Sequence, residues 1–295
     1  MATDASLWIC PGSVFDPALA LKEREMCGHT GDVLVHSRAT LLRPTDKAAE
    51  NEIGSIRAIA STGQGCSVAM QRKRNRETDA LWGSHQAGKF SGTLPSVWSD
   101  VVHEVLAKKE MWLHEVSQGW ALSLDWGTHY PQCTSRNCTT QGALDEVGVS
   151  PALLGDVYLN LRTYPIRVGN TAEGNSGGWW WDQTEVDWDH VAATCGMDPA
   201  ILKTRELTTV TKRLRRVATF SYDLVARAAR HNGATKIVIN FANYICPGVE
   251  GLRGDSLSIL PKAARVFVDS VERATNVQVV GVGTGADLQD MVWWD

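Results

Sequence analysis

The sequence runs to 295 residues, 43% hydrophobic and 21% charged, a mix that buries a sizeable core and excludes intrinsic disorder. Lys and Arg number 29 against 33 Asp and Glu, a net charge of −4, which excludes a protein that lives on nucleic acid or on an anionic membrane, because both need a basic surplus. No apolar run approaches the roughly 20 residues that span a bilayer, and the first residues lack the layout of a signal peptide, so a cytoplasmic protein without a membrane partner is expected.

Leu7 to Ile9 reads as a strand, followed by a helix from Pro17 to about Met26 and a short strand from Asp32 to His36. The apolar positions Val97, Val101, Val102, Val105, Leu106, Trp112, Leu113 and Val116 predict a helix over 97–116, and Gly119 to Leu124 a strand. Asp156 to Tyr164 alternates as a strand does. Beyond it the pattern gives a helix over Tyr222–His231, a strand over Thr235–Phe241, a helix over Leu260–Arg273 and a strand over Val277–Val282. Strands alternating with helices predict an α/β fold, with a mostly parallel central sheet and helices on both faces. No repeat or Pro/Ser-rich linker divides the chain, so a single domain over residues 1–295 is expected, with an inserted loop region from Gly169 to Asp189 that carries Trp179, Trp180 and Trp181. The seven cysteines, at 10, 27, 66, 133, 138, 195 and 246, form no CxxC pair and read as reduced, mostly buried thiols.

Three clusters carry chemistry. Ser61-Thr62-Gly63-Gln64-Gly65 packs hydroxyls and small residues into a turn whose amides can approach an anion, and the basic run Gln71–Arg76 follows ten residues on. Gly127-Thr128 through Thr134-Ser135-Arg136-Asn137-Cys138-Thr139-Thr140 is a second hydroxyl-rich loop, placed beyond a strand where ligands sit in open α/β sheets. Thr208-Thr209-Val210-Thr211-Lys212-Arg213-Leu214-Arg215-Arg216 sets hydroxyls ahead of cations, which suits a small dicarboxylate because guanidinium pairs carboxylates bidentately. Alone, each is also what an ordinary turn or a solvated basic loop looks like. His103-Glu104 and His114-Glu115 open like a zinc-protease helix, but Ala107 and Gln118 stand where the second His belongs.

Together and in this order, with Gln118-Gly119, Gly127-Thr128, Arg167-Val168-Gly169 and Gly283-Thr284-Gly285, these pieces resemble the adenylosuccinate synthetase family from about Leu7 to Asp287. The resemblance implies a C–N ligase that uses a nucleoside triphosphate to phosphorylate the 6-oxo group of a purine nucleotide, then displaces phosphate with L-aspartate. It implies that Ser61, Thr62, Gly63, Thr134, Val168 and Gly169 bind the substrate nucleotide, with Gln118 at the purine. Arg76 would reach the 5′-phosphate from the neighbouring subunit of a homodimer, and Thr209, Val210, Thr211, Arg213 and Arg215 would hold aspartate. Asn240, Asn243, Gly283 and Gly285 would hold the base of the triphosphate, with Mg²⁺ as its companion.

Two departures refine that expectation. Where ordinary members read guanine with Lys-x-Asp, this chain has Phe241-Ala242-Asn243; Asn carries donor and acceptor and can match adenine, so ATP or dATP is expected rather than GTP. The tract from Asn170 to Trp188 replaces a short Gly-Pro-Phe-Pro-Thr-Glu segment. Both features resemble the bacteriophage branch, the 2-aminoadenylosuccinate synthetases, which act on dGMP in the replacement of adenine by 2-aminoadenine in phage DNA; the host cytoplasm would then be the location. No residue here matches the family's opening glycine-rich phosphate loop or its Asn-Ala-Gly-His segment, so no catalytic base or acid is assigned. Three expectations stand side by side: a longer protein that begins upstream, a missing piece supplied by another polypeptide, or a non-catalytic relative that binds nucleotide. An ordinary synthetase using IMP and GTP is the alternative activity.

Overall fold

The computed structural model describes residues 5–85, 96–97 and 101–294, which form two compact units. The first holds residues to 57, 63–118 and 141–153; the second holds 58–62, 119–140 and 154 onward.

In the first unit the chain runs β1 (Leu7–Ile9), β2 (Val14–Phe15), α1 (Pro17–Met26), β3 (Val33–His36), β4 (Thr40–Leu41), α2 (Pro44–Glu52), α3 (Gly54–Ala58), α4 (Cys66–Arg74), α5 (Trp82–His85), β5 (Ser96–Val97), α6 (Val101–Ala107) and α7 (Thr140–Val147). β1, β3 and β5 pair in parallel in that order, and β2 pairs with β4. α1 starts where expected because Pro17 presets its first turn and the Asp16 carboxylate accepts the amides of Ala18 and Leu19 at 3.1 and 3.3 Å. Phe15, Val33, Val35, Ala39 and Leu41 close around the fully buried Trp82.

Two expectations fail between residues 97 and 124. The helix over 97–116 is confined to α6: Val97 lies in β5, residues 98–100 fall outside the described residues, and Lys109 adopts φ 59°, which stops the helix. The later apolar residues serve separate ends, with Trp112 edge-on to Trp8 at 5.3 Å and Leu113 exposed. The strand over Gly119–Leu124 is a 3₁₀ turn at Trp120–Leu122, because its polar groups bond the loop that follows instead of a neighbouring strand. Leu122 O accepts the Thr134 amide at 2.8 Å, and the Leu124 amide donates to Arg136 O at 3.0 Å.

The second unit continues with β6 (Tyr158–Arg162), β7 (Ile166–Arg167), β8 (Glu185–Val186), α8 (Trp188–Cys195), α9 (Pro199–Arg205), β9 (Arg216–Ala218), α10 (Tyr222–Asn232), β10 (Lys236–Asn240), α11 (Lys262–Thr275), β11 (Gln278–Gly283) and β12 (Met291–Trp293). Its main sheet has the order β12-β11-β10-β6, parallel from β6 to β11 with β12 antiparallel at one edge; β7-β9-β8 is a small antiparallel sheet. Ile237, Ile239, Val279 and Val282 meet Ala264, Val268 and Val271 of α11 in a core from which water is excluded. Each such side chain contributes about 1.5–3 kcal/mol by its burial. The expected elements at Tyr158–Arg162, Tyr222–Asn232, Lys236–Asn240, Lys262–Thr275 and Gln278–Gly283 are all present. The mostly parallel α/β architecture therefore stands, and the tract after Gly169 is coil as far as β8. No described helix is long and apolar enough to cross a membrane.

Candidate functional site

The hydroxyl-and-cation cluster folds into a hairpin between α9 and β9. Leu207 bridges Leu214 across it, the Thr208 amide donates to Arg213 O at 2.8 Å, and Lys212 takes φ 52° at its tip. Thr208 Oγ1 receives the Arg213 amide at 2.9 Å and lies 2.7 Å from Thr211 Oγ1, which in turn accepts from Arg213 Nε at 3.1 Å. Thr209 and Val210 are exposed at the tip. The root rests on Glu206, only 1% exposed, whose Oε1 accepts Arg162 Nη2 at 2.5 Å and the Tyr244 hydroxyl at 2.7 Å. Arg215 Nη1 stands 3.7 Å from Glu206 Oε2 and donates to Leu207 O at 2.8 Å. Burial lowers the Arg162 guanidinium below its usual range while Glu206 opposes that shift, and burial beside the same carboxylate raises the Tyr244 phenol.

Arg213 joins this hairpin to two other expected site segments. Nη1 donates to Gly169 O at 3.0 Å, and Nη2 to Ala60 O and Ser61 O at 3.0 and 3.1 Å. Gly169 is buried so tightly that an added Cβ would lie 2.5 Å from Leu214 O. Arg167 reaches the second hydroxyl-rich loop through Nη1, which donates to Gln132 O at 3.4 Å, and the inserted tract through the same nitrogen, at 2.7 Å to Ser176 O. Burial, and then the charge of Arg216, lowers the Arg167 guanidinium. His129 Nδ1 sits 2.9 Å from Thr128 Oγ1 and 3.5 Å from Arg167 Nη2, and burial keeps that imidazole below its usual value. Thus Ser61, Thr134, Val168, Gly169, Thr211, Arg213 and Arg215 all belong to the second unit, on segments tied by arginine–carbonyl bonds. Thr62 is exposed at the end of the 58–62 segment of that unit.

The rest of the Ser61–Gly65 turn belongs to the first unit and has a partner of its own. Glu50 accepts the Gly65 amide at 2.5 Å and the Ser67 amide and hydroxyl at 3.0 and 2.7 Å, so a carboxylate of this chain occupies the N-terminus of α4. Gly65 has φ 86°, and a Cβ there would lie 2.7 Å from Lys47 N; no other residue fits that turn. The basic run is partly structural: Arg72 pairs with Asp46 at 2.6 Å, and Lys73 donates to Pro11 O at 2.6 Å and Arg38 O at 2.8 Å. Arg76 is exposed just past α4 with φ 61°, and Gln118 is exposed with φ 73°.

The four residues expected at a triphosphate base lie at or just past the carboxyl ends of β10 and β11, and the two asparagine side chains take different partners. Asn240 donates to Asn160 Oδ1, and a Cβ on Gly283 would lie 2.6 Å from Asn240 Oδ1. Gly285 sits against Asp290. Asn243, 6% exposed, donates through Nδ2 to Glu250 Oε2 at 2.7 Å and lines a cleft of about 360 Å³ with Met197, Ile201, Arg205 and Pro247. Between this end and the hairpin, Arg162 packs on the Phe241 ring at 3.6 Å.

The triple tryptophan is pinned by acids: Trp179 Nε1 donates to Glu185 at 2.8 Å, and Trp180 and Trp181 Nε1 donate to Asp223 at 2.8 and 3.2 Å. Sequence reasoning missed Glu50, Glu206, Asp223 and Glu250. Of these only Glu206 carried a signal, an acid at the threshold of the hydroxyl run. Among the described residues no group of three or more His, Cys, Asp or Glu is placed to hold a metal ion.

Comparison with known proteins adds the following. The family described as adenylosuccinate synthetase matches residues 85–246. The chain is 34% identical over 245 residues to the N6-succino-2-amino-2′-deoxyadenylate synthase of Vibrio phage phiVC8, covering 80% of this chain and 66% of that protein. It is 32% identical over 266 residues to the protein of the same name from Salmonella phage PMBT28, covering 81% and 68%. The solved succinoaminodeoxyadenylate synthetase (PurZ) of cyanophage S-2L, bound to dGMP and to dATP as an energy donor, superposes with a TM-score of 0.81 at 27% identity, covering 98% of this chain and 76% of that one.

Proposed function

The chain belongs to the adenylosuccinate synthetase family, and from that premise we propose that it serves as a ligase that joins L-aspartate to dGMP with ATP or dATP as the energy donor. The donor phosphorylates O6 of the purine; the aspartate amine then attacks C6 and expels phosphate, giving 2-amino-2′-deoxyadenylosuccinate, the nucleoside diphosphate and phosphate. This places the reaction in the supply of 2-aminoadenine nucleotides in the cytoplasm of an infected cell. The names of the two phage relatives and the dGMP and dATP of the S-2L enzyme support the substrate pair.

The observation that carries the reading is the Arg213 junction, which draws the proposed aspartate hairpin to Gly169 and the 60–61 segment. Thr211 and Arg215 flank that junction as hydroxyl and cation for the two carboxylates, with Thr209 and Val210 offering the hairpin tip. Ser61, Thr62, Thr134, Val168 and Gly169 take the nucleotide; Gly63, Gln118 and Arg76 join them by the family match alone, Arg76 from a second copy of the chain. Asn240, Asn243, Gly283 and Gly285 take the donor base. Mg²⁺ accompanies the triphosphate; no protein ligand is assigned to it, since the described residues gather no acidic, His or Cys set.

The deciding experiment offers dGMP and IMP in parallel to the chain with ATP, Mg²⁺ and aspartate, and follows ADP and the succinylated product. Formation of ADP with dGMP, in excess of that with IMP, is expected. Preference for IMP would return the ordinary synthetase reading, and binding of dGMP without turnover would favour the non-catalytic one.

A further inference from the structure

Asn243 does not stand alone at its cleft. Its Nδ2 donates to Glu250 Oε2 at 2.7 Å, and Glu250 Oε1 accepts Arg205 Nη1 from α9 at 3.0 Å. Asn243 is only 6% exposed, which limits how its side chain can move, while Glu250 reaches it from the surface with a side chain 43% exposed. A lone Asn can present its oxygen or its nitrogen by a half-turn of the amide. A carboxylate only accepts, so Glu250 removes that freedom: the N–H side faces the acid, and Oδ1 with the remaining N–H is the edge left to a ligand. One acceptor beside one donor complements the amino group and adjoining ring nitrogen of adenine, whereas the adjacent N–H donors of guanine call for two acceptors.

Resting on the donor-site assignment above, we propose that Glu250 is a positioning residue that sets donor-base choice through Asn243 and excludes an aspartate from position 243. An aspartate there would bring two acceptor-only carboxylates to hydrogen-bond distance, where their like charges repel and no hydrogen is left between them. Among the described residues Arg205 is the one cation lining the cleft; Asp198 and the thiols of Cys195 and Cys246 line it too and offer no second positive charge. The adenine-reading and guanine-reading forms therefore differ by a coupled pair of residues, not by one.

The test titrates ATP and GTP separately, with Mg²⁺, into the parent chain, Glu250→Gln, Asn243→Asp and the double variant Asn243→Asp/Glu250→Gln, and records each melting temperature at neutral pH. The parent is expected to prefer ATP about tenfold or more. Glu250→Gln erodes that ratio several-fold without lowering the melting temperature. Asn243→Asp alone binds both nucleotides weakly and melts below the double variant, which prefers GTP. A GTP preference in Asn243→Asp equal to that of the double variant, or an unchanged ratio in Glu250→Gln, overturns the proposal. A parent chain that binds neither nucleotide refutes the donor-site reading; the melting comparison then still decides the coupled pair, and equal melting of the single and double variants refutes it.

Discussion

Arg213 forms three hydrogen bonds to backbone carbonyls and one to the Thr211 hydroxyl, a pattern that only a planar fork can satisfy at once. Replacement by lysine keeps the charge but leaves at least two of those carbonyls without their donor. Unmade bonds of this kind cost about 1–3 kcal/mol. Arg213→Lys is therefore expected to lower the urea midpoint by an amount in that range and to raise the KM for aspartate about tenfold or more, since the hairpin loses its register against Gly169. An unchanged midpoint would show that the three carbonyls do not depend on this side chain. At the same scale, a run such as Thr208–Arg216 tells which groups are present, whereas Glu206 beneath it holds Arg215 and Tyr244.

The segment from Asn170 to β8 has little regular structure, yet it is tied at both ends. Asn170 Oδ1 accepts the Ser176 amide at 3.0 Å, Arg216 donates to Ser176 Oγ and Gly177 O at 3.0 and 2.7 Å, and Glu185 holds Arg216 at 2.8 and 2.5 Å. Arg216 and Arg227 lie over the rings of Trp179 and Trp180 at 5.4 and 5.3 Å. Arg216 holds the Glu185 carboxyl below its usual range, and the Trp180 indole, then Arg227 and Trp181, do the same for Asp223. A depressed folded value means that these acids contribute stability above their unfolded pKa, near 4, and lose it as pH falls through the lower folded value. The near-ultraviolet circular dichroism of the insert should hold at pH 5 and above and change only below about 4. Asp223→Ala should abolish that acid change at Trp180 and Trp181 by releasing both rings at neutral pH. A transition centred near pH 6 would point to histidine and contradict this account.

At the scale of the molecule, the proposed role of Arg76 requires two chains. Arg76 is exposed beyond α4, so its loss should leave folding intact. Sedimentation is expected to give twice the mass of one chain, and Arg76→Ala to weaken dGMP binding while melting as the parent does; a monomer that binds dGMP as tightly as the parent would refute the assignment. The elements legible in the sequence are those whose apolar period is long and regular. α11 and the strands β10 and β11 show this, because they build one core and each buried position repeats. The helix expected over 97–116 shows the opposite case: its apolar residues exist, but Trp112 satisfies Trp8 across the first unit while Lys109 turns the chain. α2 was silent, since Pro44–Glu52 is mostly polar and its buried members, Asp46 and Glu50, are held by Arg72 and by the amides that open α4.

By itself the sequence determined the α/β class, the order of the motifs and hence the family, because hydrophobic period and motif chemistry are local properties of the chain. Only the tertiary structure decided what each charged group spends its bonds on. Glu50 takes the N-terminus of α4, Arg213 takes three carbonyls, Asp223 takes two indoles and Glu250 takes the amide of Asn243. The physical reason is that a buried polar group must find a partner, and that partner is set by which segments meet in space, often dozens of residues apart in the chain.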